Sequence, residues 1–221
     1  MSGVTNNLID LVKHTSDFPP YSEYDNVLST GEQVTSALLA TALEKLGIKA
    51  RSWLGWQIPI FTGKTYGKSL IEKIKTDNIS KDLEVNQVAI VSGFQGVSSE
   101  NRITTLGRGG SDTTAVAMAA SFLAVRCDIY TDVDGVYTTD PRIVKSAKKL
   151  DIITYEEMLE LASQGAKVLQ ARSVALAMKY GVNLRVLSSF EDLPGTSIVK
   201  EGKNMEKSEI SGIAHSLNEA K

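Results

Sequence analysis

The chain has 221 residues, 42% of them hydrophobic and 23% charged, which supports a sizeable core in one large or two small domains and excludes global disorder. Its 24 basic residues are scattered among 26 acidic ones for a formal net charge of -2, so no nucleic-acid partner is expected. A single cysteine, Cys127, excludes an internal disulfide framework, no apolar window approaches a membrane span and no signal peptide opens the chain, so the expected setting is the cytoplasm with no membrane partner.

In chain order, Leu8, Ile9, Leu11 and Val12 fall at helical spacing and predict a helix over Met1 to His14. Asp17 to Tyr24, with Pro19 and Pro20, reads as a loop. Ser29-Thr30-Gly31-Glu32 matches a capping box opening a helix through Leu38, Leu39, Ala42, Leu43 and Leu46, with a stop at Gly47. On that reading Glu32 satisfies the helix cap and needs no ligand. A strand is expected over Ile48 to Leu54, a short helix over Lys68 to Lys75, and a buried strand over Gln87 to Val91. The lysines from Lys64 to Lys81 are interleaved with acids and hydroxyls and read as a solvated face. Ser92-Gly93-Phe94-Gln95-Gly96 is a glycine turn at the carboxyl end of a strand, where open α/β sheets gather ligands.

Thr104 to Thr114 reads T-T-L-G-R-G-G-S-D-T-T: three glycines, one cation, one carboxylate and five hydroxyls before the helix signal of residues 113–123. Glycines turn backbone N–H groups toward a ligand and a helix N-terminus adds partial positive charge, so the stretch suits an anion. A glycine turn capped by Ser111 or Asp112 is the plainer alternative. A strand, Cys127 to Thr131, leads into the acidic loop Asp132 to Arg142; an EF-hand is excluded because the ligand spacing and the glutamate at the twelfth position are lacking. Ordinary turn chemistry closed by Pro141 stays open for that loop. Thr154-Tyr155-Glu156-Glu157 is a second capping box, Gly165 interrupts its helix, and Lys167 starts another that stops at Gly181. Strands over Asn183 to Leu187 and Thr196 to Val199 flank a Pro194-Gly195 turn. Lys200 to Ser208 is a charged linker and Ile210 to Leu217 starts something strand-like.

Repeated β-α units with short connections predict an α/β fold, a three-layer α/β/α sandwich with a mainly parallel sheet. A glycine-rich cationic loop, an acidic loop and a lone lysine are the set that phosphoryl transfer needs. Neither a Walker P-loop nor a Rossmann spacing is present.

The segments S-G-F-Q-G (Ser92 to Gly96), T-T-L-G-R-G-G-S-D-T-T-A (Thr104 to Ala115), I-Y-T-D-V-D-G-V-Y-T-T-D-P-R (Ile129 to Arg142), E-E-M-L-E-L-A (Glu156 to Ala162) and P-G-T (Pro194 to Thr196) together resemble the catalytic domain of aspartate kinase, within the amino-acid kinase fold. The resemblance implies a kinase that moves the γ-phosphate of ATP onto the β-carboxylate of L-aspartate without a covalent phosphoenzyme. It places Arg108 on the α-carboxylate of aspartate, Glu32 on its amino group, Gly109, Gly110 and Ser111 against the substrate, and Asp112 near the transferring phosphoryl group. It places Thr131, Asp132, Tyr137, Thr138, Asp140, Pro141, Arg142 and Lys167 at ATP, with Mg2+ bridging the phosphates and no metal ligand assigned to the protein. The family's opening strand with K-[FY]-G-G-[TS]-S has no counterpart here, so the first strand is expected to be missing. Residues 1–200 would then be a truncated catalytic domain and 201–221 a linker into an absent regulatory ACT domain. Such a chain is expected to be weakly active or inactive and, with a sheet edge exposed, to form homo-oligomers. A non-catalytic assembly or regulatory subunit and a kinase for another amino acid remain as alternatives.

Overall fold

The computed structural model describes residues 3–166, 168–200 and 212–213. Lys167, the linker beyond Lys200 and the strand expected over 210–217, apart from Gly212 and Ile213, lie outside the described residues. The chain divides into two compact units between Thr114 and Ala115.

The first unit opens with α1 (Val4–Thr15), which lies along α2 (Tyr21–Lys45). The crossing is close, since a Cβ on Gly31 would stand 3.2 Å from Val4 Cγ1. The helix expected to start at Ser29 starts eight residues earlier, after Pro20, so Ser29 to Glu32 lie in its interior and form no capping box. The reason is visible in its buried face. Asp25, Leu28, Ser29 and Ser36 are buried at helical spacing, so the face that meets the sheet is largely polar, and apolar periodicity could not find its first two turns.

Two sheets complete this unit. In one, β1 (Ala50–Trp53) runs parallel to β4 (Val88–Val91). In the other, β2 (Ile60–Thr62), β3 (Ile71–Ile74), β5 (Gln95–Val97) and β6 (Ile103–Thr105) stand in the order β3-β2-β5-β6. Residues 68–75, expected as a helix, instead supply β3: Ile71 and Ile74 pair with Thr62 and Ile60, and this cross-strand pairing overrides their helix-like spacing. Gly96 is the only residue type that fits β5, since a Cβ there would lie 2.4 Å from Thr62 Cγ2. The short helix α3 (Asp77–Glu84) buries Ile79 and also Asp82, which accepts from Trp53 Nε1 at 2.7 Å.

The boundary between the units falls within α4 (Gly110–Ser121), which begins three residues before its expected start. In the second unit β7 (Cys127–Thr131), β8 (Ile152–Thr154), β9 (Leu184–Ser188) and β10 (Thr196–Val199) stand in the order β7-β9-β10-β8. The β7-β9 and β8-β10 pairs are parallel and β9-β10 is antiparallel. Helices α5 (Tyr155–Ser163) and α6 (Ala171–Tyr180) pack with this sheet around Ile129, Ile153, Met158, Val174 and Val186. The second capping box forms as expected: Thr154 Oγ1 accepts from Glu157 N at 3.2 Å and Glu157 Oε2 accepts from Thr154 N at 2.9 Å. Gly181 closes α6 in the left-handed conformation, also as expected, although the helix starts at Ala171. Both units therefore carry the helices and mixed parallel sheets of an α/β fold.

Candidate functional site

In the first unit the polar face of α2 meets the ends of three strands. Ser36 Oγ and Ser92 Oγ, just past β4, share a 2.7 Å hydrogen bond, and Ser92 Oγ lies 3.4 Å from Glu32 O. Gln95 Nε2, at the start of β5, donates to Ser29 O at 3.0 Å. Asp25 accepts from Thr105 N, at the end of β6, at 2.7 Å. Four polar positions on one helix face therefore hold three strand ends in place.

The Ser92-Gly93-Phe94 turn connects α2 to the start of α4. A Cβ on Gly93 would stand 3.3 Å from Ser111 Cα, a close approach that only glycine makes freely. Phe94, held at φ 66°, donates its N–H to Thr114 Oγ1 at 3.1 Å and accepts from Leu106 N at 2.9 Å. These bonds brace both sides of the Gly107 to Gly110 loop. Within it Gly107 and Gly109 have φ of 74° and 70°, a region side chains rarely adopt, and a Cβ on Gly110 would press on Phe94 Cδ2 at 2.8 Å. The glycines expected from the sequence to shape a cradle are each required by conformation or space.

The charged groups on this frame make no ion pair among the described residues. Glu32 Oε2 is buried and makes no hydrogen bond, and burial raises the Glu32 carboxyl above its ordinary range. Asp112, in the first turn of α4, is raised by burial as well. Arg108 is exposed, with no ion-pair partner among the described residues, and Ser111, three residues on, is exposed as well. A carboxylate with one buried oxygen left without a hydrogen bond and a guanidinium without an ion pair are complementary to a zwitterion, and the guanidinium fork matches a carboxylate in two-point contact. The capping role considered for Glu32 is removed by the position of the helix start.

The second unit carries the acidic loop. Thr131 ends β7, and its Oγ1 donates to Asp132 Oδ1 at 3.1 Å, with Asp132 exposed. Asp134 accepts from Tyr137 Oη at 3.0 Å and from Lys149 Nζ at 3.3 Å. Burial acts to raise Asp134, but the Tyr137 and Lys149 contacts outweigh it and hold the carboxyl low. Tyr137 bridges to Lys149, and Thr138 exchanges bonds with Lys148: its N–H donates to Lys148 O at 2.9 Å and its Oγ1 accepts from Lys148 N at 3.1 Å. Asp140 accepts from Arg142 N, Nε and Nη2 at 2.8 to 3.0 Å around the exposed Pro141. Thr196, from the Pro194-Gly195-Thr196 turn, anchors the loop by accepting from Val136 N at 2.8 Å and donating to Leu150 O at 2.6 Å. Gly135 is required there, since a Cβ would fall 2.6 Å from Thr196 Oγ1. Ile213 N donates to Thr138 O at 2.7 Å. The structure thus gathers Glu32, Arg108, Gly109, Gly110, Ser111 and Asp112 in one unit, and Thr131 to Arg142 in the other.

Sequence reading missed Asp25, Ser36 and Gln95. A polar repeat at positions 25, 29, 32 and 36 was the available signal, hidden because Asp25 adjoined a proline-containing loop.

The amino acid kinase family model matches residues 2–188. Aspartate kinase Ask_LysC of Stutzerimonas stutzeri is 56% identical over 222 residues, covering 100% of this chain and 54% of the relative. The chain thus spans about half the length of the curated relatives it matches. Among solved structures, aspartate kinase from Synechocystis superposes with a TM-score of 0.79 at 46% identity, covering 91% of this chain and 33% of that one. E. coli aspartokinase III in complex with aspartate and ADP gives 0.80 at 31% identity, covering 90% and 45%.

Proposed function

Since the chain belongs to the amino acid kinase family, we propose that residues 1–200 are the phosphotransfer part of an aspartate kinase, with L-aspartate and Mg–ATP as substrates. The carrying observation is the pair of unpartnered charges in the first unit, the buried Glu32 Oε2 and the exposed Arg108. A buried carboxylate oxygen without a hydrogen bond costs about 1–3 kcal/mol, which a substrate ammonium offsets on binding. Arg108 takes the α-carboxylate through its fork, and Gly109, Gly110 and Ser111 present N–H groups at the start of α4. The acceptor in the reaction is the β-carboxylate. One of its oxygens forms a bond to the γ-phosphorus as the bond from that phosphorus to the β,γ-bridging oxygen breaks, giving 4-phospho-L-aspartate and ADP.

The second unit holds the nucleotide in this proposal. Thr131, Asp132, Tyr137, Thr138, Asp140, Pro141 and Arg142 form the loop that takes ATP, with Lys167 as its remaining cation, and Mg2+ arrives with the triphosphate. Relatives solved with aspartate and ADP support this substrate pair. Asp112 orients the acceptor near the phosphoryl group, and burial raises its carboxyl above the ordinary range.

Trapping of acyl phosphate by hydroxylamine, run with Mg–ATP and L-aspartate, tests the chemistry, and calorimetry with L-aspartate tests binding. Hydroxamate formed from L-glutamate and not from L-aspartate would move the assignment to another amino acid. L-aspartate binding with no hydroxamate would leave the chain a binding unit without turnover.

A further inference from the structure

Asp25 has no part in the roles above, yet it is one of the most buried charged groups in the first unit, at 0% exposure. It stands on α2 seven residues, or about two turns, before Glu32. Gly67 N donates to its Oδ1 and Oδ2 at 3.0 and 2.9 Å, Thr105 N to Oδ2 at 2.7 Å, and Thr105 Oγ1 to Oδ1 at 2.8 Å. All of these partners are neutral donors. A carboxylate kept out of water without a cation is a costly way to join a helix to a strand, and its value lies in what the donors are attached to.

Both donors frame the glycine loop. Thr105 is the last residue of β6, and Leu106, Gly107 and Arg108 follow it directly. Gly67 O stands 2.8 Å from the place a Cβ on Gly107 would occupy, so these two left-handed glycines are seated against each other. Ser69 N donates to Thr105 O at 2.9 Å, and Ser69 Oγ donates to Gly63 O and Thr65 O, closing the same turn from the other side. The backbone that delivers Arg108 is therefore gripped before and beside Gly107, and Asp25 is the atom group common to both grips.

We propose that Asp25 is a positioning residue for amino-acid recognition: by clamping Gly67 and Thr105 it fixes the Gly107-Arg108 backbone and so the place from which the Arg108 guanidinium meets the substrate carboxylate. This rests on the reading of Arg108 as the carboxylate-binding group.

The test is Asp25→Asn in the full chain. Asn is isosteric, but its amide keeps one acceptor oxygen and turns Nδ2 toward groups that themselves donate. The affinity for L-aspartate should fall roughly tenfold or more, with the affinity for Mg–ADP unchanged. Amide hydrogen exchange should quicken at residues 107–110 and stay as in the parent across β7 and β9. Asp82→Asn, at the buried carboxylate that serves Trp53, is the control; it should lower Tm without moving L-aspartate affinity or exchange at 107–110. Parent-like exchange at 107–110 in Asp25→Asn overturns the proposal, as does a parallel loss of L-aspartate and Mg–ADP binding that merely follows Tm. If the parent chain binds no L-aspartate, the functional reading falls, and the exchange comparison still decides whether Asp25 holds the loop. If Asp25→Asn does not fold, Thr105→Val removes one donor and should quicken exchange at 107–110 by a smaller factor; no change there overturns the proposal.

Discussion

The two units treat their carboxylates in opposite ways. In the first, Asp25, Glu32 and Asp112 are all raised by burial, and no described cation pairs with any of them. In the second, burial acts to raise Asp128 and Asp134 too, but Arg185 and Arg126 hold the one low and Tyr137 and Lys149 the other. Other carboxylates of the first unit are paired, Glu100 with Lys64, Glu23 with Arg102 and the buried Asp82 with Arg51, so the contrast belongs to Asp25, Glu32 and Asp112. Charges left waiting are what a site for a small zwitterion requires, since the ligand brings the counter-charges. A loop whose charges are already paired is rigid by itself and must meet a nucleotide mainly through backbone and hydroxyl groups, or exchange partners to do so.

Arg108→Ala tests the contrast hardest. With no partner to lose, the variant should keep its Tm, while L-aspartate binding should weaken by about 2–5 kcal/mol, the usual range for cutting one side of a buried charge pair. A drop in Tm with little change in affinity would show Arg108 to be structural. Glu32→Gln comes next. Losing the ammonium partner should weaken L-aspartate by about 1.5–3 kcal/mol, yet stability at neutral pH should hold or rise, because an unsatisfied ionised oxygen is removed.

The pH dependence of stability carries the same contrast. Where a folded carboxyl titrates above its unfolded value, the native state binds more protons than the unfolded chain across the interval, so stability falls as pH rises through it. Asp25, Glu32 and Asp112 therefore predict declining stability just above the ordinary carboxylate range, and Glu32→Gln should flatten that decline. Asp128 and Asp134 titrate below their unfolded values, so their contribution is complete above the ordinary range and is lost as pH falls through the depressed one. Tyr137→Phe should raise the Asp134 carboxyl, shift this acid limb upward and cost about 0.5–1.5 kcal/mol. Denaturant midpoints taken across pH for the parent chain and both variants check all of this.

What was legible in the sequence follows from how local each signal is. The Thr154-Glu157 box and the Gly181 stop are decided within a few residues and were read correctly. β2, β5, β6 and β8 span three residues each and are strands only because of their partners, so no periodicity could reveal them. Residues 68–75 show the converse, a helix-like spacing captured by β2. In the site, glycine density exposed Arg108, Ser111 and Asp112 directly. Glu32 was obscured by an apparent capping box that the true start of α2 dissolves, and the polar repeat that includes Asp25 gained its meaning only once β6 was placed beside it.

The smallest expected effect falls at one of the residues that the resemblance assigns to the nucleotide. Arg142 pairs with Asp140 two residues away, with the Arg142 side chain 83% exposed. An exposed pair of this kind is worth about 0–1 kcal/mol, so Arg142→Ala should barely move Tm. If the pair is only a turn clasp, Mg–ADP affinity should be equally indifferent. If Arg142 instead leaves Asp140 for a phosphate, affinity should fall several-fold with Tm unchanged, and should fall less steeply with added salt than in the parent chain, because one screened contact has gone. Calorimetry at two ionic strengths distinguishes these outcomes. The second would show that a paired loop recruits a nucleotide by exchanging an internal partner, the step the first unit avoids by leaving Arg108 unpaired.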